Sequence, residues 1–259
     1  MSKVINNFKK YRFLLTELVK KDIKLKYRRS YLGIVWTLLE PILTTIVLTF
    51  VFNEISGKSA RDPLFAVYVL TGRLLYSFFA NATKSAMKSI RGNSGMIKKV
   101  YVPKYIYPLS SVLSGYVTFL ISMIVLFGAV MIFKIIPTFH MFGAIIPLVM
   151  ILILSLGIGL ILSTLAVFFR DLEYLWSVML MLIMYTSAIF YKIENVGSDK
   201  SWIFNINPVY PIIVNFRNAI FGRPISIDAL MLSVLYSFGA LIIGVVLFYK
   251  KQDKFILNI

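Results

Sequence analysis

The chain contains no cysteine and a single histidine, His140. Disulfides, thiolate metal sites and a cysteine nucleophile are thereby excluded, and one histidine cannot assemble a zinc site. Acidic residues are scarce too: 11 Asp and Glu stand against 28 Lys and Arg, a formal net charge of +17. No phosphate-binding loop is present. Gly57-Lys58-Ser59 has the ending of one, but the motif needs a glycine where this chain has Phe52. The first thirty residues are too charged, and too poor in any compact apolar run, for a cleaved signal peptide. Paired carboxylates for acid–base work are missing as well. Asp171 and Glu173 lie two residues apart beside Arg170, a pattern that suits ion pairing, Arg170 with Asp171 first, better than catalysis.

What the chain does have is apolar sequence. Of its 259 residues 59% are hydrophobic, the mean hydropathy is +0.81, and the apolar residues come in runs of about twenty, as in an all-α integral membrane protein. The basic charge could suggest nucleic acid, but it sits in short segments flanking the apolar runs, the distribution of cytoplasmic loops. No nucleic-acid partner is expected. Six spans are expected, at 34–54, 68–88, 107–133, 142–168, 175–192 and 228–249. With the N-terminus inside, twenty Lys and Arg fall in inner segments and eight in outer segments or span entries. Both termini are therefore expected in the cytoplasm.

Two regions outside the spans carry pattern. Residues 7–28 read as an amphipathic helix, with Phe8, Tyr11, Leu15, Leu18 and Val19 on one side and Lys9, Lys20 and Lys24 on the other. This suits a helix in the membrane interface, the alternative being a helix of a small cytoplasmic domain. The domain reading is an interface helix over 1–33 and a membrane domain over 34–259. The outer segment 193–227 is too apolar for a solvated connection and fits one or two short re-entrant helices packed in protein.

The loop at about 88–107 is longer than a turn requires. It holds Asn93, Gly95, Met96, Ile97, Lys98, Lys99, Val100, Tyr101 and Pro103, a basic, apolar-anchored segment suited to docking onto a cytoplasmic partner. Glu40, inside the first span and followed by Pro41, is costly in lipid and needs water or a partner; gating and proton relay both stay open. Ser155, Gly159 and Ser163, and again Ala240 and Gly244, repeat every four residues and permit close helix approach, within one subunit or between two. Tyr68, Tyr76, Phe78, Phe79, Tyr185, Phe190 and Tyr191 gather at the outer ends of two spans. They read either as an aromatic belt or, for Tyr76, Phe78, Phe79, Phe190 and Tyr191, as the walls of a sugar path.

Several segments in order resemble a known family. Tyr27-Arg28-Arg29-Ser30-Tyr31-Leu32-Gly33-Ile34-Val35-Trp36 with Glu40-Pro41, then Gly92-Asn93 through Ile97-Lys98-Lys99-Val100-Tyr101-Val102-Pro103 with Pro108-Leu109-Ser110-Ser111, then Phe168-Phe169-Arg170-Asp171-Leu172, and Asn207-Pro208 with Phe216-Arg217, are similar to the ABC-2-type permeases that export polysaccharide. One departure is Gly72-Arg73-Leu74-Leu75-Tyr76, where the family commonly has Gly-x-x-Pro-Trp. Arg73 there could meet a phosphate or simply snorkel. The resemblance implies a homodimer working with two copies of a separate ATPase, which binds the ATP and magnesium. This chain is then not itself an enzyme and holds no metal or cofactor. The implied cargo is a polysaccharide or teichoic-acid-type polymer on a polyprenyl diphosphate, moved outwards across a bacterial plasma membrane, with Arg28, Arg29 and Arg73 as candidate phosphate contacts. The competing readings are an exporter of a drug or small lipid, a membrane glycosyltransferase, and a proton-coupled carrier. The last two need clustered or repeated buried carboxylates that the sequence does not supply.

Overall fold

The computed structural model describes residues 2–28, 30–56, 64–100, 102–191 and 201–258. Arg29, Tyr101, Gly57-Lys58-Ser59 and much of the first half of the 193–227 segment lie outside them, as do the side chains of Phe8 and Lys9. Every regular element among the described residues is helical: α1 (Ser2–Tyr27), α2 (Trp36–Ser56), α3 (Leu64–Gly92), α4 (Ser94–Ile97), α5 (Ile106–Ile132), α6 (Ile145–Phe168), α7 (Leu172–Thr186), α8 (Ser201–Ile206), α9 (Tyr210–Ile220), α10 (Ile227–Lys251) and α11 (Phe255–Asn258), with short 3-10 turns between some of them. Among the described residues five helices are long and apolar enough to cross a membrane: α2, α3, α5, α6 and α10. They match five of the six expected spans to within a few residues.

The remaining expected span, 175–192, stops early. At ~1.5 Å per residue, the 15 residues of α7 reach only about 22 Å. The helix ends because Ala188 adopts φ +48°, a left-handed conformation that no α-helix continues through. Its last turn is capped from a distance, through one carbonyl and two hydroxyls. Asn207 Nδ2 lies 2.9 Å from each of Ile183 O, Thr186 Oγ1 and Ser187 Oγ, supplying the partners a helix C-terminus lacks.

The centre of the molecule is α3. Phe65, Val67, Leu70, Leu74, Leu75, Phe79, Ala82 and Ala86 line its covered sides, against α5, α6, α7 and α9. α6 and α10 pack along each other most extensively, and the reason is Gly157 facing Ala240, Leu241 and Gly244 backbone to backbone. Gly159, two residues on and so on the opposite side of α6, meets Ala86 of α3 and Val112 of α5. Both small-residue repeats therefore serve packing within one subunit.

α1 is also covered by protein. Leu15 and Leu18 are buried, with Tyr11 and Leu14 beside them, in a cluster that includes Ile90, Ile97, Ile106, Tyr107, Val167, Phe248 and Phe255. The apolar stripe of this helix thus rests on the ends of α3, α5, α6 and α10, while Lys20, Lys21 and Lys24 face out. This cluster gathers the N-terminal helix, the 93–105 turn and the C-terminal residues at one end of the bundle. There Lys104 Nζ donates to Gln252 O at 2.6 Å.

α2 leans on α5 through an unusual bond. Pro41 has no N–H, so the carbonyl of Thr37, four residues earlier, has no helical partner. Ser122 Oγ of α5 donates to that carbonyl at 3.0 Å. Ser122→Ala is expected to destabilise the fold by about 1–2 kcal/mol, the cost of a buried acceptor left unpaired. In a Pro41→Ala background the restored N–H supplies the partner and most of that cost should vanish. A double-mutant cycle on detergent-solubilised protein measures the coupling; two strictly additive changes would refute the bond's role.

Candidate functional site

Along α3, one face is left out of the core. Arg73, Ser77, Asn81, Ser85 and Lys88 follow one another at three- or four-residue steps and therefore lie above one another on a single stripe. Facing them on α5 is a second polar row, Ser111, Ser114, Thr118 and Ser122. Thr37, Glu40, Pro41 and Thr44 of α2 close the third side. These residues line one cavity of about 630 Å³, whose mouth at the terminal end is flanked by Asp22, Lys26 and Tyr27 of α1. From Arg73 to Lys88 the stripe spans roughly 22 Å at ~1.5 Å per residue, most of a ~30 Å hydrocarbon core.

Three of the four hydroxyls on the α5 side already donate to backbone carbonyls. Ser114 Oγ bonds Ser111 O at 2.9 Å, Thr118 Oγ1 bonds Gly115 O at 2.8 Å, and Ser122 Oγ bonds Thr37 O and Thr118 O. Thr44 Oγ1 likewise bonds Glu40 O at 2.7 Å. What these groups present to the cavity is oxygen lone pairs, whereas Arg73, Asn81 and Lys88 supply N–H donors. Phe78 and Phe119 stack with centroids 4.9 Å apart and form the apolar part of the wall. At the terminal mouth, partial burial pushes the Asp22 carboxyl above its ordinary value, with Lys21 opposing the shift. The arrangement can hold a ligand rich in hydroxyls. Among the described residues no group of His, Asp and Glu is placed to hold a metal ion.

The aromatic residues expected on a path are dispersed by the fold. Phe78 lines the cavity. Tyr76 is buried, its hydroxyl donating to Leu180 O at 2.8 Å, and Phe79 is fully buried edge-on to Trp176. Phe190 stacks on Phe52 at 5.2 Å, and the Tyr191 hydroxyl donates to Tyr185 O at 2.6 Å. In the subunit these four are packing residues that fix α7 and the turn after it.

The basic loop divides by side chain. Asn93 Nδ2 bonds Ser89 O at 2.8 Å, and Asn93 O accepts from Met96 N and Ile97 N, so this residue folds the turn that starts α4. Ile97 is buried in the terminal cluster. Gly95, Met96, Lys98, Lys99 and Val100 are exposed and Pro103 is half-buried. The loop is thus anchored by one apolar residue and presents the others outwards.

Charge pairing at the adjacent corner differs from the expectation. Arg170 and Asp171 are both exposed, and no ion pair joins them. It is Glu173 that pairs, with Lys88 at 3.0 Å and Arg91 at 3.5 Å, because the first turn of α7 aims it back at α3. Both pairs are solvent-accessible, so Glu173→Gln should cost no more than about 1 kcal/mol; a thermal-unfolding shift equivalent to several kcal/mol would contradict this. Arg28 is exposed in the turn after α1, and Arg73 is half-buried on the cavity wall.

A second polar feature was not anticipated from the sequence. Arg217 of α9 is buried, donates to Ala188 O at 3.0 Å and Tyr68 O at 3.2 Å, and lies over the Tyr68 ring, 3.5 Å from its centroid. It fastens α9 and the 187–191 turn to the far end of α3.

Comparison with known proteins agrees with this architecture. A family described as ABC-2 type transporter matches residues 14–221. The chain is 29% identical to the O-antigen export system permease protein RfbA of Klebsiella pneumoniae, over 93% of each chain. It is 25% identical to the protein of the same description from Myxococcus xanthus, over 98% of each. It is 22% identical to the polysialic acid transport protein KpsM of Escherichia coli, over 96% of this chain and 97% of that one.

Proposed function

The chain belongs to the ABC-2 type transporter family, and from that premise we propose that it is the membrane permease subunit of an ATP-driven polysaccharide exporter. The observation that carries the reading is full-length similarity to export permeases whose cargoes are O-antigen and capsule-type glycans. The long polar cavity through the membrane bundle supports a glycan over a small apolar cargo.

In this reading the terminal end of the bundle faces the cytoplasm of a bacterium, in line with the excess of Lys and Arg there. The reading keeps six crossings. α6 and α10 both finish in the terminal cluster, which supports a return across the bundle between them with α7 as part of it. α8 and α9 then form the re-entrant region on the outer side, and the burial of α9 in protein makes that depth tolerable.

The motor is a separate ATPase in two copies, carrying the ATP and magnesium, docked on two copies of this chain. The docking surface comprises Gly95, Met96, Lys98, Lys99 and Val100, with Asn93, Ile97 and Pro103 holding its shape; Tyr101 is assigned to it from the sequence. Motion of the turn reaches the spans through Ile97, which is buried in one cluster with Leu15 of α1, Ile90 of α3 and Ile106 of α5. The cargo is a glycan or teichoic-acid-type polymer on a lipid diphosphate, for which Arg28, next to Tyr27 at the cavity's mouth, supplies a cationic contact; Arg29 is assigned to the same role from the sequence.

Purified with its ATPase and reconstituted, the complex should hydrolyse ATP, and the permease alone should show no hydrolysis. The double change Lys98→Glu, Lys99→Glu should cut co-purification of the ATPase or glycan export at least ten-fold while leaving the unfolding midpoint of the subunit in place. ATP hydrolysis by the isolated chain, or full export by the double variant, would overturn the corresponding assignment.

A further inference from the structure

We infer that residues 249–258 form a foot that grips anionic phospholipid headgroups on the cytoplasmic surface of the membrane and from there braces the 93–105 turn. This rests on the export reading above for the side that faces the cytoplasm and for the motor whose work the foot modulates.

The segment does not trail away from the bundle. α10 ends at Lys251, a 3-10 turn covers Gln252–Lys254, and α11 follows, bringing Phe255 back between the last turns of two spans. Phe255 is fully buried, edge-on to Phe248 at 5.2 Å and to Phe168 at 6.1 Å. Phe168 closes α6 and Phe248 lies in the last turn of α10, so α11 sits level with the ends of the spans. That is the depth of the headgroups. Asn258 Nδ2 donates to Lys254 O at 2.9 Å and holds the short helix closed. What the anchor leaves outside is a mixed face. Leu257 is 84% exposed, Tyr249 71% and Ile256 50%, with Lys250, Lys251 and Lys254 exposed among them. Three lysines against Asp253 leave two positive charges in excess. Apolar side chains beside cations at this depth suit insertion at the acyl boundary, with the lysines on phosphates. The depth favours lipid over the ATPase, because a leucine exposed at the end of a span meets the bilayer before any cytosolic partner.

Lys104 ties this foot to the docking turn. Its Nζ donates to Gln252 O at 2.6 Å and lies over the Phe255 ring, 5.8 Å from the centroid. Phe255 and Ile97 belong to one buried cluster, with Val102 and Tyr105 packed against it. A foot held by headgroups therefore fixes Lys104 and one wall of the cluster around Ile97, so that motion of the turn is passed on to the spans. A foot without its lipid lets the turn move and leaves the spans behind.

The chain has no cysteine, so a single introduced thiol can carry a polarity-sensitive dye. Leu257→Cys places it on the foot, Ile124→Cys on the 60% exposed outer side of α5, and Met96→Cys on the docking turn. The protein, with and without its ATPase, is reconstituted in vesicles of phosphatidylcholine alone or mixed with phosphatidylglycerol, and brominated lipid is the quencher. Two net charges at an anionic surface favour engagement roughly thirty-fold, so quenching at Leu257→Cys should rise several-fold with phosphatidylglycerol. Ile124→Cys should be quenched alike in both vesicles and Met96→Cys in neither. In the unlabelled complex, glycan exported per ATP hydrolysed should rise about three-fold or more with the anionic lipid. Changing Lys250→Gln, Lys251→Gln and Lys254→Gln together should remove both responses while the unfolding midpoint stays in place. Lys104→Met should keep the quenching and lose the export response, and Lys104→Arg should restore it; a merely structural lysine would not split the two readouts. Quenching at Leu257→Cys that ignores lipid charge would overturn the foot. So would shielding of that dye that appears only with the ATPase present, which would make the segment an ATPase contact. Export per ATP that is indifferent to lipid charge in the parent, or still responsive in the triple variant, would overturn the brace. A parent that neither hydrolyses ATP nor exports glycan with its ATPase in either lipid would instead refute the permease reading, and quenching in the subunit alone would still decide the foot.

Discussion

Gly157→Leu is expected to yield no folded subunit, and even Gly157→Ala should lower the unfolding midpoint by several degrees. A Cβ on Gly157 would stand against Leu241 N, 2.5 Å from the carbonyl carbon of Ala240 and 2.8 Å from its oxygen. One on Gly244 would meet Gly157 O at 2.5 Å. All of these are backbone atoms, so no side chain can rotate away and the two helices must separate. Separation opens the longest helix–helix seam in the molecule, and overpacking in a tight interior costs about 1–3 kcal/mol for small insertions and more when backbone must shift. Gly239, on the same helix, faces open space. Gly239→Ala is therefore the control and should be neutral or slightly stabilising, since glycine costs a helix up to about 1 kcal/mol relative to alanine. Detergent-phase thermal unfolding followed by size exclusion separates the outcomes. A Gly157→Ala protein as stable as the parent would mean that α6 and α10 do not pack this way.

What the sequence made legible was governed by local rules. Long apolar runs and flanking charge located α2, α3, α5, α6 and α10, because burying twenty residues in lipid leaves little choice of structure. The exposed turn at 93–105 was legible as a feature through its glycine, its lysines and its excess length. The end of α7 was not, because it depends on Ala188 turning left-handed and on an Asn207 cap that arrives from twenty residues downstream. The aromatics part company for a related reason. Tyr76 and Phe79 are three residues apart, hence on one helix face, and that face points into the core; Phe78 points elsewhere and reaches the cavity. The pairing of Glu173 with Lys88 and Arg91, in place of Arg170 with Asp171, likewise needed the angle between α7 and α3.

The polar cavity itself was readable and was passed over. Polar residues at 73, 77, 81, 85 and 88 within one span keep to one helix face, and the serines and threonine at 111, 114, 118 and 122 do the same. Each residue alone is tolerable in a membrane helix, so only the spacing carries the signal. That two such stripes face each other, with Glu40 of a third helix beside them, is a tertiary fact. It also gives Glu40 a place: the carboxylate that a lipid-facing span would not tolerate lines a polar cavity.

Arg217→Lys should destabilise the subunit by about 3 kcal/mol, and by more than Arg217→Met, which keeps volume but discards the charge. Arg217 is buried with no carboxylate in contact among the described residues, and its cation is dispersed over two carbonyl oxygens and the face of Tyr68. A planar, weakly hydrated guanidinium can fork to two acceptors while stacking; a lysine ammonium can do neither and remains a strongly hydrated point charge. Lysine thus retains the desolvation penalty and loses its compensation, the situation in which a buried charge is most costly. Methionine removes the charge and leaves both carbonyls with other donors, since the Tyr68 hydroxyl bonds Ala188 O at 3.2 Å and Thr71 Oγ1 bonds Tyr68 O at 2.8 Å. Its cost is therefore the lost stacking and packing, about 1 kcal/mol. Gly72 belongs to the same construction, because a Cβ there would lie 2.6 Å from Nη2 of Arg217. Gly72→Ala should consequently destabilise the parent yet be better tolerated beside Arg217→Met, where an unbranched flexible side chain can yield. Unfolding midpoints of the parent and the four variants decide the matter. A lysine variant as stable as the parent would show that the guanidinium plane is dispensable, and α9 would then owe its position at the far end of α3 to the apolar contacts of Ile212, Ile213 and Phe216 alone.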